Sequence, residues 1–121
     1  MNTVYALIWT HVVADFFAQT DKMAKNKSSS DFWLGFHVLA YSLIFFASFN
    51  LYYKVNAVIV YCAVNGSAHM LTDWITSRIT KRLWAAGRTH DFFCVIGVDQ
   101  AIHLTTLVAT IPLFTDVPKW R

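Results

Sequence analysis

His11 and Asp15, His69 and Asp73, and Asp99 and His103 each stand four residues apart in apolar surroundings. Four residues is about one helical turn, so the two members of each pair point the same way. A helix presents two ligands to one metal ion by the same spacing, as the two histidines of H-E-x-x-H do for zinc. Imidazole together with carboxylate suits zinc, manganese or iron rather than calcium. His37 supplies a seventh group. The expected metal-binding set is therefore His11, Asp15, His37, His69, Asp73, Asp99 and His103, holding one or two divalent transition-metal ions, zinc first and manganese or iron as alternatives. Seven groups exceed what one four-coordinate zinc uses, so either two ions lie about 3.5 to 4 Å apart or several groups only orient the ligands. His11, His69 and His103 are expected to bind the ion with one or more aspartates. Asp15, Asp73 and Asp99 are also the candidate catalytic residues, because a carboxylate left over can act as general base.

The competing reading is that each pair is a buried hydrogen bond between helices with no metal present. For one pair that reading is preferred. Three pairs and His37 carry more ionisable groups than could neutralise one another in a low-dielectric interior, which tips the balance to a metal or catalytic site.

The elements that must position these groups are helices in an apolar solvent. Of 121 residues, 56% are hydrophobic and only 14% charged, well below the roughly 25% charged of soluble domains. Four stretches of about 18 to 25 residues are each long enough to cross or nearly cross a hydrocarbon core of about 30 Å. The fold class expected is all-α, a four-helix transmembrane bundle with a buried His/Asp cluster, in one integral membrane domain over 1–121. Its helices are expected at about 3–20, 31–53, 55–84 and 90–114. The polar segment from Asp21 to Asp31 ends the first, Asp31 caps the second, Gly87 breaks the chain after the third, and Thr89 or Asp91 caps the fourth, with Pro112 near its exit and Pro118 beyond. Ala63, Gly66, Ser67 and Ala68 form a small-residue patch that lets helices approach closely. Met1 to Ala18 has no basic residue ahead of its apolar run, so the first helix is expected to be retained.

Measured from the helix ends nearest the two basic loops, the seven groups lie between about 7 and 20 Å deep. All fall toward one side, in a pocket opening on the basic face. The loops on that side carry Lys22, Lys25, Lys27, Arg78, Lys81, Arg82 and Arg88, against Lys54, Lys119 and Arg121 on the other. The positive-inside rule then puts both termini away from the cytoplasm. The same placement reads the pI near 9.0 as a topology signal, not as a nucleic-acid surface.

Other polar groups carry weaker signals. Gln19 and Gln100 adjoin Asp15 and Asp99 and either support the site or bond backbone. His90 sits at the interface beside Arg88 and Asp91 and is excluded from the cluster. Trp33, Trp74, Trp84 and Tyr52 read as interface anchors or packing. Cys62 and Cys94 read as buried small hydrophobes without metal spacing.

The segments His11-x-x-x-Asp15-Phe16-x-x-Gln19, His37, His69-x-x-x-Asp73 and Asp99-Gln100-x-x-His103 resemble an uncharacterised family of small membrane proteins of bacteria and their phages, over nearly the whole chain. More distantly the chain is similar to the membrane-bound metal-dependent hydrolases. The first resemblance implies a membrane protein with a shared polar site. The second implies hydrolysis of a lipid or other membrane-accessible substrate. All seven acids are Asp, so a protease mechanism resting on a glutamate base is excluded.

The leading expectation is thus a hydrolase embedded in a bacterial inner membrane, using metal-activated water, with membrane lipid as partner and a homo-oligomer left open. Two readings of other classes stand beside it. One is a small carrier or channel relaying ions or protons through the cluster. The other is a non-catalytic membrane interaction protein.

Overall fold

The computed structural model describes residues 2–115, among which every regular element is helical. Pro118, Lys119 and Arg121 lie outside the described residues. Helix α1 (Thr3–Val12) is capped by Asn2, whose side chain accepts from the Val4 amide. It runs directly into a π-helical turn, Val13–Phe17, closed by the Ala18 amide on the Val13 carbonyl at 2.9 Å. The expected single helix over 3–20 is therefore shorter and ends in a wider turn.

The segment from Asp21 to Asp31, read from the sequence as a polar loop, contains α2 (Asp21–Asn26). Thr20 caps it by accepting from the Met23 amide, and Met23 plugs the core. Six residues with one buried apolar side chain leave no periodic signal, and so short a helix forms only because its ends and Met23 are held.

Helix α3 (Asp31–Phe49) is capped by Ser30, one residue earlier than expected, and stops four residues short of the expected end. Asp31 instead occupies the first turn, where a carboxylate suits the helix dipole, and accepts from Arg78 at 2.6 Å. Helix α4 (Val55–Ala85) is the longest. It ends where Gly87 takes φ +70, with the Gly87 amide on Trp84 and the Arg88 amide on Leu83. That left-handed conformation is open to glycine at little cost. Helix α5 (Thr89–Ala109) starts after Arg88 with no side-chain cap, because Asp91 is engaged by Arg88 at 2.7 Å. A break at Thr110 and Ile111 precedes the short α6 (Pro112–Thr115), with proline at its first position, where a missing amide costs nothing.

Helices α1, α3, α4 and α5 pack pairwise in a ring, α1 on α3, α3 on α4, α4 on α5 and α5 on α1. One end of the ring is an aromatic core in which Tyr61 and Tyr53 meet Phe114 edge-on and Phe45 and Phe49 stack. Gly66 lies against α3, where a Cβ would come 2.7 Å from Ser42 Oγ, so this member of the small-residue patch does mark a close approach.

Two helical stretches are long and apolar enough to cross a membrane: Asp31–Phe49, with mean hydropathy 1.7, and Thr89–Thr115, with 1.6. The other two fall short of that for separate reasons. Thr3–Phe17 is only about 22 Å long at helical rise, and α4 carries Asn65, His69, Asp73 and a basic end. Cys94 is exposed, against expectation, and Cys62 is half-buried. A helix apolar all round gives no periodicity from which to read which cysteine faces inward.

Candidate metal centre

Each helix delivers its groups along one buried stripe. On α3 the stripe is Leu34, His37, Tyr41, Phe45 and Phe49; on α4 it passes through Tyr61, Asn65, His69, Asp73 and Ser77; on α5 it is Asp99, His103 and Leu107. Asp15 sits in the π turn, the kind of wide turn that often marks functional sites. All seven sequence-selected residues are buried, none more than 7% exposed, and the structure brings all seven together.

Two sets of donor atoms converge, and they share Asp73. In the first, His37 Nε2 lies 3.1 Å from Asp15 Oδ1, 3.1 Å from His69 Nε2 and 3.5 Å from Asp73 Oδ2. His69 Nε2 is 3.4 Å from Asp15 Oδ1 and 3.6 Å from Asp73 Oδ2. A tetrahedron with metal bonds of about 2.0 to 2.1 Å has edges of about 3.3 to 3.4 Å. These five edges bracket that value. In the second set, His103 Nε2 is 3.0 Å from Asp73 Oδ1 and 3.3 Å from Asp99 Oδ2. Asp73 therefore turns one oxygen toward each set.

The sequence pairs do touch within their own helices, at 3.7 Å for His11 and Asp15, 3.6 Å for His69 and Asp73 and 3.3 Å for Asp99 and His103. Cross-helix contacts are mostly shorter. His11 belongs to neither set: its Nδ1 meets Tyr41 Oη at 3.2 Å and its Nε2 meets Gln100 Oε1 at 2.9 Å. Gln100 in turn donates to Asp15 Oδ2 at 3.0 Å and Asp99 Oδ2 at 3.1 Å. It thus holds Asp15 through the oxygen outside the four-donor set and Asp99 through the oxygen that meets His103. Thr76 donates to Asp99 Oδ1. The His69 ring is held between Tyr41 and His103, with centroids 4.1 Å from each. Nδ1 of His37 and of His69 has no hydrogen-bond partner among the described residues.

Lys27 was read from the sequence only as a topology charge. It donates to Asp73 Oδ2 at 2.9 Å, onto an oxygen of the first set. Three buried carboxylates against one ammonium, with the histidines neutral, leave a formal deficit of two positive charges. Burying such an imbalance is costly, and one divalent ion would correct it. Gln100 and Lys27 are the supporting residues that sequence reasoning left undecided or missed. Gln100 carried a signal in its place beside Asp99, whereas nothing in the sequence shows Lys27 reaching 46 positions along the chain. Gln19 lines the cleft above the cluster without bonding to it. His90 is exposed beside Cys94, away from the site.

Fold and site together define an all-helical protein with a buried His/Asp cluster able to coordinate a metal ion. Residues 3–120 match the family described as "Protein of unknown function (DUF3307)", and the chain belongs to that family. Comparison with curated proteins and with solved structures gives no match.

Proposed function

We propose that the chain is a metal-dependent hydrolase embedded in a bacterial inner membrane, acting on a lipid or other membrane-accessible substrate. The observation that carries the reading is the four-donor set Asp15, His37, His69 and Asp73, spaced as a tetrahedral zinc site requires, with a second set sharing Asp73 beside it. A divalent ion held there would have to accept water as a fifth ligand, and would then lower the pKa of that water and polarise a scissile carbonyl or phosphoryl group. The chain's own residues do the rest. Gln100 holds Asp15 and Asp99 in place, and Asp99, which stands outside the four-donor set, is positioned to take the proton of an attacking water.

Membrane placement is supported by the apolar side chains that α3 and α5 turn outward. Phe36, Leu39 and Leu43 on α3 and Phe93, Val98 and Ile102 on α5 are all at least 42% exposed. Such apolar faces suit lipid rather than water. The seven-to-three asymmetry of basic residues supports an orientation with the cluster on the cytoplasmic side and the termini opposite. A carrier is the weaker reading because, past Tyr41, the buried polar groups dwindle to Asn65, which bonds Thr110. There Phe45, Phe49 and Phe114 pack with Tyr61 into the aromatic core.

The test is elemental analysis of the detergent-purified protein, joined to mass spectrometry of a bacterial lipid extract incubated with it before and after chelation. A stoichiometric transition metal and a chelator-sensitive loss of one lipid class are expected. Absence of any bound transition metal after purification and zinc reconstitution would sink the reading. Metal without any hydrolysed lipid or ester would move the protein to ion binding.

A further inference from the structure

A cleft of about 680 Å³ opens from the basic end of the molecule onto Asp15, Asp99 and Gln100. Its volume is that of an organic-ligand pocket. Three lysines from two segments line it: Lys25 of α2 with Lys27 just after it, and Lys81 of α4. The acids facing the same space are Asp15 and Asp99, which the metal site engages, and Lys27 is paired with Asp73, so Lys25 and Lys81 are the cations left to an incoming group. A second observation is independent of charge. Ser77, on the cleft wall, is only 9% exposed and its Oγ has no hydrogen-bond partner among the described residues. A buried hydroxyl without a partner is costly unless a ligand supplies one. At the lip, Phe16, Trp84 and Phe93 are 52%, 62% and 62% exposed and line the same cleft. Exposed lysines and aromatic side chains around a buried hydroxyl suit a phosphate group carried on a lipid.

We propose that this cleft binds the phosphate headgroup of an anionic lipid, with Lys25, Lys81 and Ser77 contacting phosphate oxygens and the aromatic lip meeting the acyl chains. The inference deepens the hydrolase reading and rests on it for turnover, in which water oxygen bonds to phosphorus, the P–O bond to the lipid alcohol breaks, and the water's proton passes to that alcohol. Binding can be measured without turnover.

The full chain in dodecyl maltoside is titrated with dioleoyl phosphatidic acid, and Trp84 fluorescence is followed with Trp84→Phe as the blank. Dioleoylglycerol, which lacks the phosphate, and inorganic phosphate, which lacks the lipid, are titrated alongside. Phosphatidic acid is expected to bind at least ten-fold tighter than either. Lys25→Gln with Lys81→Gln, and separately Ser77→Ala, are each expected to weaken it at least five-fold while metal content stays at the wild-type level. Equal affinity for dioleoylglycerol overturns the phosphate, and equal affinity for inorganic phosphate overturns the lipid. An effect of the lysine changes but not of Ser77→Ala would show general attraction of a basic face to anionic lipid and overturn the cleft. Tight phosphatidic acid binding by a chain that holds no metal would sink the hydrolase and leave this site standing. Metal-bound protein that ignores phosphatidic acid does the reverse.

Discussion

Asp73→Asn is the substitution that best separates a metal centre from a hydrogen-bonded core. Asp73 Oδ2 completes the four-donor set at 3.5 and 3.6 Å from the two histidine nitrogens, and Oδ1 meets His103 at 3.0 Å, so one change alters both sets. Gln100 touches only carboxylates and His11, which makes Gln100→Ala the matching change in an orienting group. Losing an orienting group weakens metal binding by about 10 to 100-fold. Loss of the charged ligand is expected to exceed 100-fold. At a free zinc concentration about 100 times the wild-type Kd, zinc stabilises the native protein by about 2.7 kcal/mol. The same concentration leaves about 0.4 to 1.4 kcal/mol in Gln100→Ala and under about 0.4 kcal/mol in Asp73→Asn. Competition with a fluorescent zinc chelator in detergent measures each Kd, and unfolding with and without zinc measures the stabilisation. Asp73→Asn binding zinc within three-fold of wild type, or more tightly than Gln100→Ala, would refute the assignment of Asp73 as a ligand.

Lys27→Met removes the cation from Asp73 and should destabilise the metal-free protein by about 1 to 3 kcal/mol, discounted because Lys27 is 20% exposed, while enlarging the stabilisation that zinc gives; identical zinc-induced shifts in both proteins would contradict the charge argument. Gly66→Leu should cost about 1 to 3 kcal/mol by overpacking the contact with Ser42, and Gly66→Ala less, with Ser42→Gly restoring the alanine variant; unfolding midpoints of the four proteins decide it. In a background lacking Cys62 and Cys94, Ser29→Cys is expected to react only with cytoplasmic thiol reagent and Tyr52→Cys only from outside. The opposite pattern would reverse the orientation.

The three i, i+4 pairs were legible because a helix keeps such residues on one face whatever it packs against. Their meeting was legible too, since the seven groups shared a depth from one end of the helices. The partners were not. Asp15 binds histidines of α3 and α4, and Asp73 binds His103 of α5, and these choices depend on how four helices are rotated about their axes. Helices that are apolar on nearly every side give little sign of rotation, which is also why Cys94 was placed inward. The π turn at Val13–Phe17 was invisible for another reason. It inserts an extra residue into a turn without any change in composition, and only the packing of Asp15 shows why the wider turn is useful. Lys27 reaches Asp73 because Thr20 and Met23 fold α2 back onto the bundle, a local device too short to leave a periodic signal.

How many ions the cluster holds follows from donors and charge together. The first set has four donors and takes water only as a fifth ligand, whereas the second, Asp73, Asp99 and His103, has three and leaves a position for a further ligand. One divalent ion balances the three carboxylates and Lys27. A second would leave two surplus positive charges in a buried site, which an anion entering by the cleft could offset. Zinc stoichiometry after gel filtration should therefore be one per chain in the absence of phosphate ligands and rise toward two with phosphatidic acid present. Asp99→Asn should hold it at one under both conditions, since Asp99 contributes to the second set alone. A wild-type value fixed at one in the presence of saturating phosphatidic acid would mean that Asp99 and His103 serve the single ion and its water, and that the shared carboxylate of Asp73 bridges an ion to a hydrogen-bonded histidine.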